Sequence, residues 1–137
     1  MTFLPQQPAD LAARWLRSAD VALSSIKPGS GYEFAIPTKA LAAMAVGTPV
    51  LQAGPGPVGR IIDEARGGRV VGYTAEEVGR ALTEMFTAPV PAAERVRVAT
   101  WSEKNLSGRS TSAVGARRVL DAAVQTARGR TTTWGGA

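Results

Sequence analysis

The apolar residues of the chain alternate between two spacings, one typical of helices and one typical of strands. Residues 9–18 carry leucine, tryptophan and alanine at helical spacing, and residues 21–26 form a short apolar run typical of a strand. The same order returns twice: residues 37–46 precede the strand-like run 49–53, and residues 58–65 precede the run 69–72. The pattern therefore predicts three helix–strand pairs in series.

Glycine, proline and threonine mark the expected ends of these helices. Pro37 suits the first residue of its helix, Gly47 is expected to end that helix, and Gly67 with Gly68 should end the next one. Thr74 is predicted to cap a fourth helix, because a glutamate three residues on completes a capping box. The buried stripe of that helix would consist of Val78, Ala81, Leu82 and Met85. Residues 92–127 are predicted to be helical, with an interruption around 105–112.

Three strands that are each joined to the next through a helix must pair in parallel. The predicted fold class is therefore α/β, a partial Rossmann-like, three-layer α/β/α arrangement with a short parallel sheet. Residues 2–4 could add a fourth strand at an edge, and an uncovered edge would invite pairing with another chain. Residues 1–128 are expected to form one domain, and residues 129–137 a flexible tail.

The amino-acid composition limits the kinds of chemistry that the chain can carry out. The 137 residues suit one domain, and neither cysteine nor histidine is present, which excludes disulfides, thiol nucleophiles, a histidine base and the usual zinc sites. No metal site is expected. No apolar run approaches the roughly 20 residues of a membrane span. The first residues also lack the layout of a secretory signal, so a cytoplasmic location is predicted.

The net charge of +5 reflects either solvated helix faces or attraction to phosphate-bearing small molecules and anionic lipid surfaces. The arginines are scattered and aromatic residues make up only 6%, so no specific nucleic-acid platform is expected. Phosphate-bearing small molecules are the favoured partners. A basic adaptor for RNA, or one in peripheral contact with an anionic membrane, stays open as the last-ranked alternative, which steep salt dependence would reveal.

The strongest candidate site lies between the first strand and the next helix. Ligands of open α/β sheets bind beyond the carboxyl ends of the strands, where loops lead into helix amino termini. The residues placed at this site are Gly29, Ser30, Gly31, Tyr32, Glu33, Pro37, Thr38 and Lys39. Free N–H groups at the helix start, a hydroxyl and a lysine charge would suit a phosphate or diphosphate. The alternative is a plain glycine turn beside a solvated lysine.

Two further features of this end of the sheet have two interpretations each. The loop 54–59 would form a wall of the same pocket, or is only a tight strand-to-helix turn. Glu33 would hold a sugar hydroxyl, or is an exposed loop residue. Neither the Walker loop nor the full dinucleotide fingerprint is present, so the motif by itself is weak.

Three segments together are similar to a known family. SADVAL at 18–23, EFAIPTK at 33–39 and AMAVGTPV at 43–50 resemble the carboxyl-terminal donor-binding domain of retaining glycosyltransferases of the GT-B fold (glycosyl transferases group 1, family 4-like). Residues 68–71 and the Thr100-Trp101-Ser102 element extend the resemblance to about residues 1–125.

This resemblance implies a donor site for a nucleotide-sugar such as a UDP-sugar or GDP-sugar, with no further cofactor and no metal. Glu33 would contact the donor sugar, and the helix start at Thr38 and Lys39 would hold the diphosphate. Ala42 stands where members often carry a glutamate that binds the nucleotide ribose, so ribose recognition is expected to differ.

The resemblance also implies a missing part. A GT-B enzyme has two Rossmann-like domains with the active site in the cleft between them, and here the acceptor domain and the first strands of the donor domain are absent. Sugar transfer to an acceptor would need a separate partner chain or a longer parent protein. The alternative is a noncatalytic α/β association module, which pairs with another chain or with itself as a homo-oligomer.

Overall fold

The computed structural model describes Phe3 and residues 5–108. Within them the elements run in the order α1 (Ala9–Ser18), β1 (Ala22–Ser25), α2 (Thr38–Ala45), β2 (Val50–Ala53), α3 (Val58–Ala65), β3 (Gly68–Val71), α4 (Ala75–Thr87) and α5 (Ala92–Leu106). Each of these described helices is too short or too polar to cross a lipid bilayer.

The chain divides into two compact units, Met1–Glu103 and Lys104–Ala137. The elements considered below belong to the first unit, apart from the last residues of α5. The predicted tail 129–137, and with it the predicted domain boundary, lies outside the described residues and stays a prediction. The predicted helical residues 109–127 and most of the candidate fourth strand at 2–4 also lie outside them.

The three strands form one parallel sheet in the order β1-β2-β3. Ala22 pairs with Val50, and Val50 pairs with Gly68, so the three strands start and end at the same level. Because α2 and α3 connect consecutive strands, the helix–strand series and the parallel pairing predicted from the sequence are both confirmed. The described residues thus form a small α/β domain.

The central strand β2 is buried along its whole length. On one face of the sheet, Leu51 packs against Ala81 and Met85 of α4, and the remaining stripe residues Val78 and Leu82 are partly buried around them. The predicted apolar stripe of α4 is therefore confirmed. Side chains alternate along a strand, so the neighbours of Leu51 in β2 point to the other face. Helices α2 and α3 both contact β2 as well.

Helix α5 is attached through two arginines. Arg95 donates to the carbonyl oxygens of Arg17 and Ala19, at the end of α1, at 2.8 and 3.0 Å. Arg97 donates to the carbonyl oxygens of Ala65 and Arg66, at the end of α3, at 2.9 and 3.1 Å. Helix carboxyl ends carry unpaired carbonyls and partial negative charge, which cationic side chains stabilise. These carbonyls lead into β1 and β3, so α5 lies near the amino ends of the strands.

Two helix ends differ by one residue from the prediction. Pro37 is the N-cap of α2, with an extended ψ of 115°, and the first helical residue is Thr38. Helix α3 ends on Arg66, which takes the left-handed conformation at φ 46°. Gly67 instead packs closely on another helix, because a Cβ there would stand 3.0 Å from the Met44 side chain. Gly67 also takes part in the predicted helix end, because its N–H donates to the Ile62 carbonyl oxygen at 2.8 Å.

The capping box of α4 is present in a modified form. The Thr74 hydroxyl accepts from the Glu77 N–H at 3.2 Å, as predicted. The same hydroxyl donates to the Glu77 carboxylate at 2.8 Å, so the two side chains bind each other as well. Helix α4 therefore begins with a fixed first turn at the carboxyl end of β3.

Candidate functional site

The carboxyl ends of the three strands lie side by side. Ser25 pairs with Ala53, and Ala53 pairs with Val71, so the loops that follow all leave the sheet at one edge. These loops lead to the amino ends of α2, α3 and α4. This is the edge at which open α/β sheets bind ligands.

The first two loops are in direct contact. Gly54, at φ 89°, leaves no room for a Cβ because the Ile26 carbonyl oxygen lies against it. A Cβ on Gly56 would stand 3.4 Å from the Glu33 carbonyl oxygen and 3.6 Å from that of Ala35. Residues 33–35 therefore lie directly over the Gly54–Gly56 turn, as expected if the two loops border one site.

The glycine-containing loop folds around its own carboxylate. Gly29 and Gly31 have φ of 71° and 78°, in the left-handed region that favours glycine. Ser30 donates its hydroxyl to the Lys27 carbonyl oxygen at 2.6 Å and its N–H to Glu33 Oε1 at 3.0 Å. Glu33 thereby occupies the side of the loop on which backbone N–H groups converge.

The same N–H groups change the acidity of Glu33. Its own backbone N–H is the largest cause that lowers the pKa of its carboxyl below 4.5, and the N–H groups of Gly29, Ser30 and Gly31 lower it further. Partial burial acts in the opposite direction without reversing the result. Glu33 is therefore ionised at neutral pH, and its charge is directed at the backbone of the loop.

The amino end of α2 presents the other predicted residues to solvent. Thr38 and Lys39 are exposed, whereas Pro37 is half-buried and caps the helix without a side-chain hydrogen bond. The first N–H groups of any α-helix have no acceptor within the helix. Here they stand next to a lysine charge and a hydroxyl. This helix start is thus chemically suited to an anion, and it lies at the strand edge where the prediction placed it.

The structure brings the eight predicted residues to one edge but separates them into two groups. Gly29, Ser30, Gly31 and Glu33 form a closed turn, while Thr38 and Lys39 stand exposed at the start of α2. Tyr32 points outward, with 68% of its surface exposed. The hydrogen bond described for Tyr32 involves its backbone: the Ala35 N–H donates to the Tyr32 carbonyl oxygen at 2.9 Å.

A groove of about 580 Å³ lies elsewhere, along the outer side of β3. Residues of β3, α3 and α4 line it, including Asp63, Arg69, Arg80 and Glu84. Arg69 and Glu84 form an ion pair beside it. The groove contains none of the eight predicted residues, and its mixed charges do not point to one class of ligand. Among the described residues, no cluster of acidic side chains is arranged to hold a metal ion.

Sequence reasoning missed a buried polar pair in the middle of the sheet. Ser24 and Gln52 are neighbours in register and are both buried. Gln52 donates to the Ala53 carbonyl oxygen at 3.1 Å, and its own Oε1, like the Ser24 hydroxyl, has no hydrogen-bond partner among the described residues. The sequence did indicate this pair: Gln52 is a single glutamine within an otherwise apolar strand, where a leucine or valine is usual.

Comparison with known proteins adds no further constraint: no family model, no curated protein and no solved structure matches the chain.

Proposed function

We propose that the chain is the donor-binding segment of a retaining glycosyltransferase of the GT-B type, and that it binds the diphosphate of a nucleotide-sugar. The observation that carries the proposal is the exposed start of α2. There Thr38, Lys39 and free backbone N–H groups stand at the carboxyl end of a parallel sheet, and residues 33–35, which lead into α2, lie against the Gly54–Gly56 turn. The parallel βαβ order supports a partial Rossmann-like layout.

Each group at this edge has a definite part in the proposal. The α2 N–H groups and the Lys39 ammonium neutralise the diphosphate charge, and the Thr38 hydroxyl adds a hydrogen bond. The UDP-sugar or GDP-sugar is the substrate, and neither a cofactor nor a metal is part of the proposal. Glu33 would contact the donor sugar, which requires its carboxylate to leave the N–H of Ser30 first.

Sugar transfer itself needs more than these residues. A transition state gains its stabilisation from groups placed all around the reacting centre, and an acceptor domain would supply those on the other side of the cleft. The proposal therefore places activity in an assembly with a partner chain or within a longer protein. A cytoplasmic setting belongs to the same proposal, because nucleotide-sugars are the donors.

Titration calorimetry of the whole chain against UDP, GDP and a set of UDP- and GDP-sugars tests this function. Replacing Lys39 by alanine should weaken diphosphate binding about tenfold, equivalent to one strong charge-assisted hydrogen bond. Lys104→Ala is the matched control, because Lys104 is also an exposed lysine and is not one of the predicted site residues. Absence of binding by the chain, alone and with an added acceptor half, or equal losses in both variants, would contradict the proposal.

The second candidate function is association without catalysis, and the outer edge of β1, with which no other described strand pairs, favours it. Leu23, in the middle of this edge strand, keeps 52% of its surface exposed. Light scattering separates the two candidates: a monomer that binds nucleotides supports the donor segment, whereas an oligomer without nucleotide affinity supports the association module.

A further inference from the structure

The two edges of the sheet present free backbone groups in different surroundings. The N–H groups of Ala22 and Ile26 donate towards β2. Because inward and outward backbone groups alternate along a strand, those of residues 21, 23 and 25 point away from the sheet. On β3 the carbonyls of Gly67 and Val71 accept from β2, so residues 68 and 70 point away. Within the part of the chain that the structure describes, no strand pairs with either edge, so both can accept a further strand.

Only the β3 edge carries the charge that discourages pairing. Arg69 lies in the middle of β3 and is ion-paired with Glu84 of α4. Residues 21–26 include no charged residue at all. Natural sheets protect their edges with charged side chains, short strands or a covering element. The β1 edge therefore lacks the charged protection that β3 has.

Helix α1 adds exposed apolar side chains on one face of the sheet. It contacts α2, which in turn contacts β1 and β2, so α1 lies on the β1 side of the sheet. None of its residues is buried, and Trp15 keeps 55% of its surface exposed with Leu11 one turn before it. Asp10 near the start of the helix and Arg17 near its end flank these two residues, and the exposed Arg14 lies beside them.

We infer that the chain forms a symmetric dimer in which the β1 edges of two copies pair antiparallel about an axis through Leu23. This register pairs Leu23 with its own copy and Val21 with Ser25 of the partner subunit, so that every outward backbone group of residues 21–25 finds a partner. The three-stranded sheet becomes a continuous six-stranded one. A symmetric interface of this kind closes on itself and needs only one surface.

Charge complementarity identifies the second copy as the occupant. The axis that makes the β1 strands antiparallel also makes the two α1 helices antiparallel. Asp10 of each copy then approaches Arg17 of the partner subunit, and the exposed leucine and tryptophan stripes face each other between these pairs. The inference rests on the second candidate function, association with another chain, and does not need the nucleotide site.

Sedimentation velocity on the whole chain, from low to high micromolar concentration, provides the first test. The wild-type chain should sediment with twice the mass of one chain. Leu23→Glu places two like charges at the axis and should raise the dimer dissociation constant at least about tenfold. Val70→Glu is the matched control, because Val70 is a half-exposed apolar residue on the other edge, and it should remain dimeric.

A single-cysteine cross-link tests the register. The chain has no cysteine of its own, so Leu23→Cys places one thiol per copy. Directly opposed residues of antiparallel strands lie about 5.5 Å apart between Cα atoms, within the range for a disulfide. Mild oxidation should link Leu23→Cys into a dimer and leave Val70→Cys monomeric on a denaturing gel. Linking of Val70→Cys instead would overturn the assigned edge.

A charge exchange tests the α1 contact. Asp10→Arg and Arg17→Asp should each weaken the dimer, and the double variant should restore it. Circular dichroism of every variant verifies that the fold is retained. A wild-type chain that stays monomeric at all concentrations, or a dimer unaffected by Leu23→Glu, would overturn the inference. Nucleotide titration of the Leu23→Glu variant reports separately on the donor site, so failure of one proposal leaves the other intact.

Discussion

Ser30 donates its backbone N–H to Glu33 Oε1 at 3.0 Å, so the glycine-containing loop binds a carboxylate of its own sequence. An anionic ligand that used the same N–H groups would have to displace Glu33 first. The exposed start of α2 has no such internal competitor among the described contacts. Within the proposed donor site, the diphosphate is therefore expected at Thr38 and Lys39 rather than at the glycines.

This hydrogen bond predicts a pH dependence of the loop. Because the pKa of Glu33 is lowered in the folded chain, its carboxylate stabilises the loop fully above its unfolded value near 4.5. That contribution is lost as the pH falls through the lower folded value. Nuclear magnetic resonance should show the Ser30 amide shift changing with a midpoint below 4.5, and Glu33→Gln should abolish the change. A midpoint at or above 4.5 would contradict the interaction.

Two glycine substitutions should change stability in opposite directions. Gly54→Ala forces a Cβ onto the Ile26 carbonyl oxygen at a positive φ, and should destabilise the domain by about 2 kcal/mol or more. Gly79→Ala, in the middle of α4 with open space around it, should stabilise by about 0.5–1 kcal/mol. Urea denaturation of both variants measures the difference. Equal effects would show that Gly54 is not confined by Ile26.

Arg97 should stabilise the fold by binding the carbonyl groups at the end of α3. Arg97→Ala removes two charge-assisted hydrogen bonds to the carbonyls of Ala65 and Arg66 together with an exposed pair to Glu94 that contributes little, and is expected to cost about 1–3 kcal/mol. Arg80→Ala serves as the control, since no hydrogen bond or ion pair is described for this exposed arginine. Thermal denaturation measures both. A loss in the control as large as that in Arg97→Ala would assign the effect to net charge.

The left-handed Arg66 predicts a stabilising substitution. Arg66→Gly relieves the cost of a side chain at φ 46° and should raise the free energy of unfolding by up to about 1 kcal/mol. Arg60→Gly, within α3, should lower it by about the same amount, because glycine weakens a helix interior. If both variants lost stability to the same extent in chemical denaturation, Arg66 would not be the helix end.

The elements of the fold were predictable because their signals are local. Helix α1 has the predicted bounds, Ala9–Ser18, and the α4 stripe around Ala81 and Met85 is buried as expected. The periodicity of apolar residues and the threonine cap depend only on neighbours in sequence. Parallel pairing followed from the lengths of the connections alone.

Contacts between distant residues were not predictable in the same way. Arg95 bonds to the carbonyl of Arg17, which lies 78 residues earlier in the chain, and no local pattern distinguishes this arginine from a solvated one. The left-handed residue at the end of α3 is Arg66, one residue before the glycine that usually stands there, although the Gly67 N–H still closes the helix on the Ile62 carbonyl oxygen. The close approach of Gly67 to Met44 depends on packing between two helices, which no local pattern shows.

The candidate site was predicted in position but only partly in arrangement. The topological rule correctly brought the loop 27–37 and the Gly54–Gly56 turn to one strand edge. It carries no information on where a flexible carboxylate points, so the closure of Glu33 on Ser30 could not be foreseen. Whether the site binds a nucleotide-sugar stays a prediction.

The two arginines of α5 also affect how the chain is made. Synthesis proceeds from the amino terminus, so β1, β2 and β3 leave the ribosome before the guanidinium groups that bind the carbonyls at the ends of α1 and α3. Until Arg95 and Arg97 emerge, these carbonyls form hydrogen bonds to water, and the nascent sheet lacks the contacts that attach α5. Any delay between the emergence of β3 and that of Arg97 would therefore prolong the interval in which these carbonyls of the growing chain stay exposed to solvent.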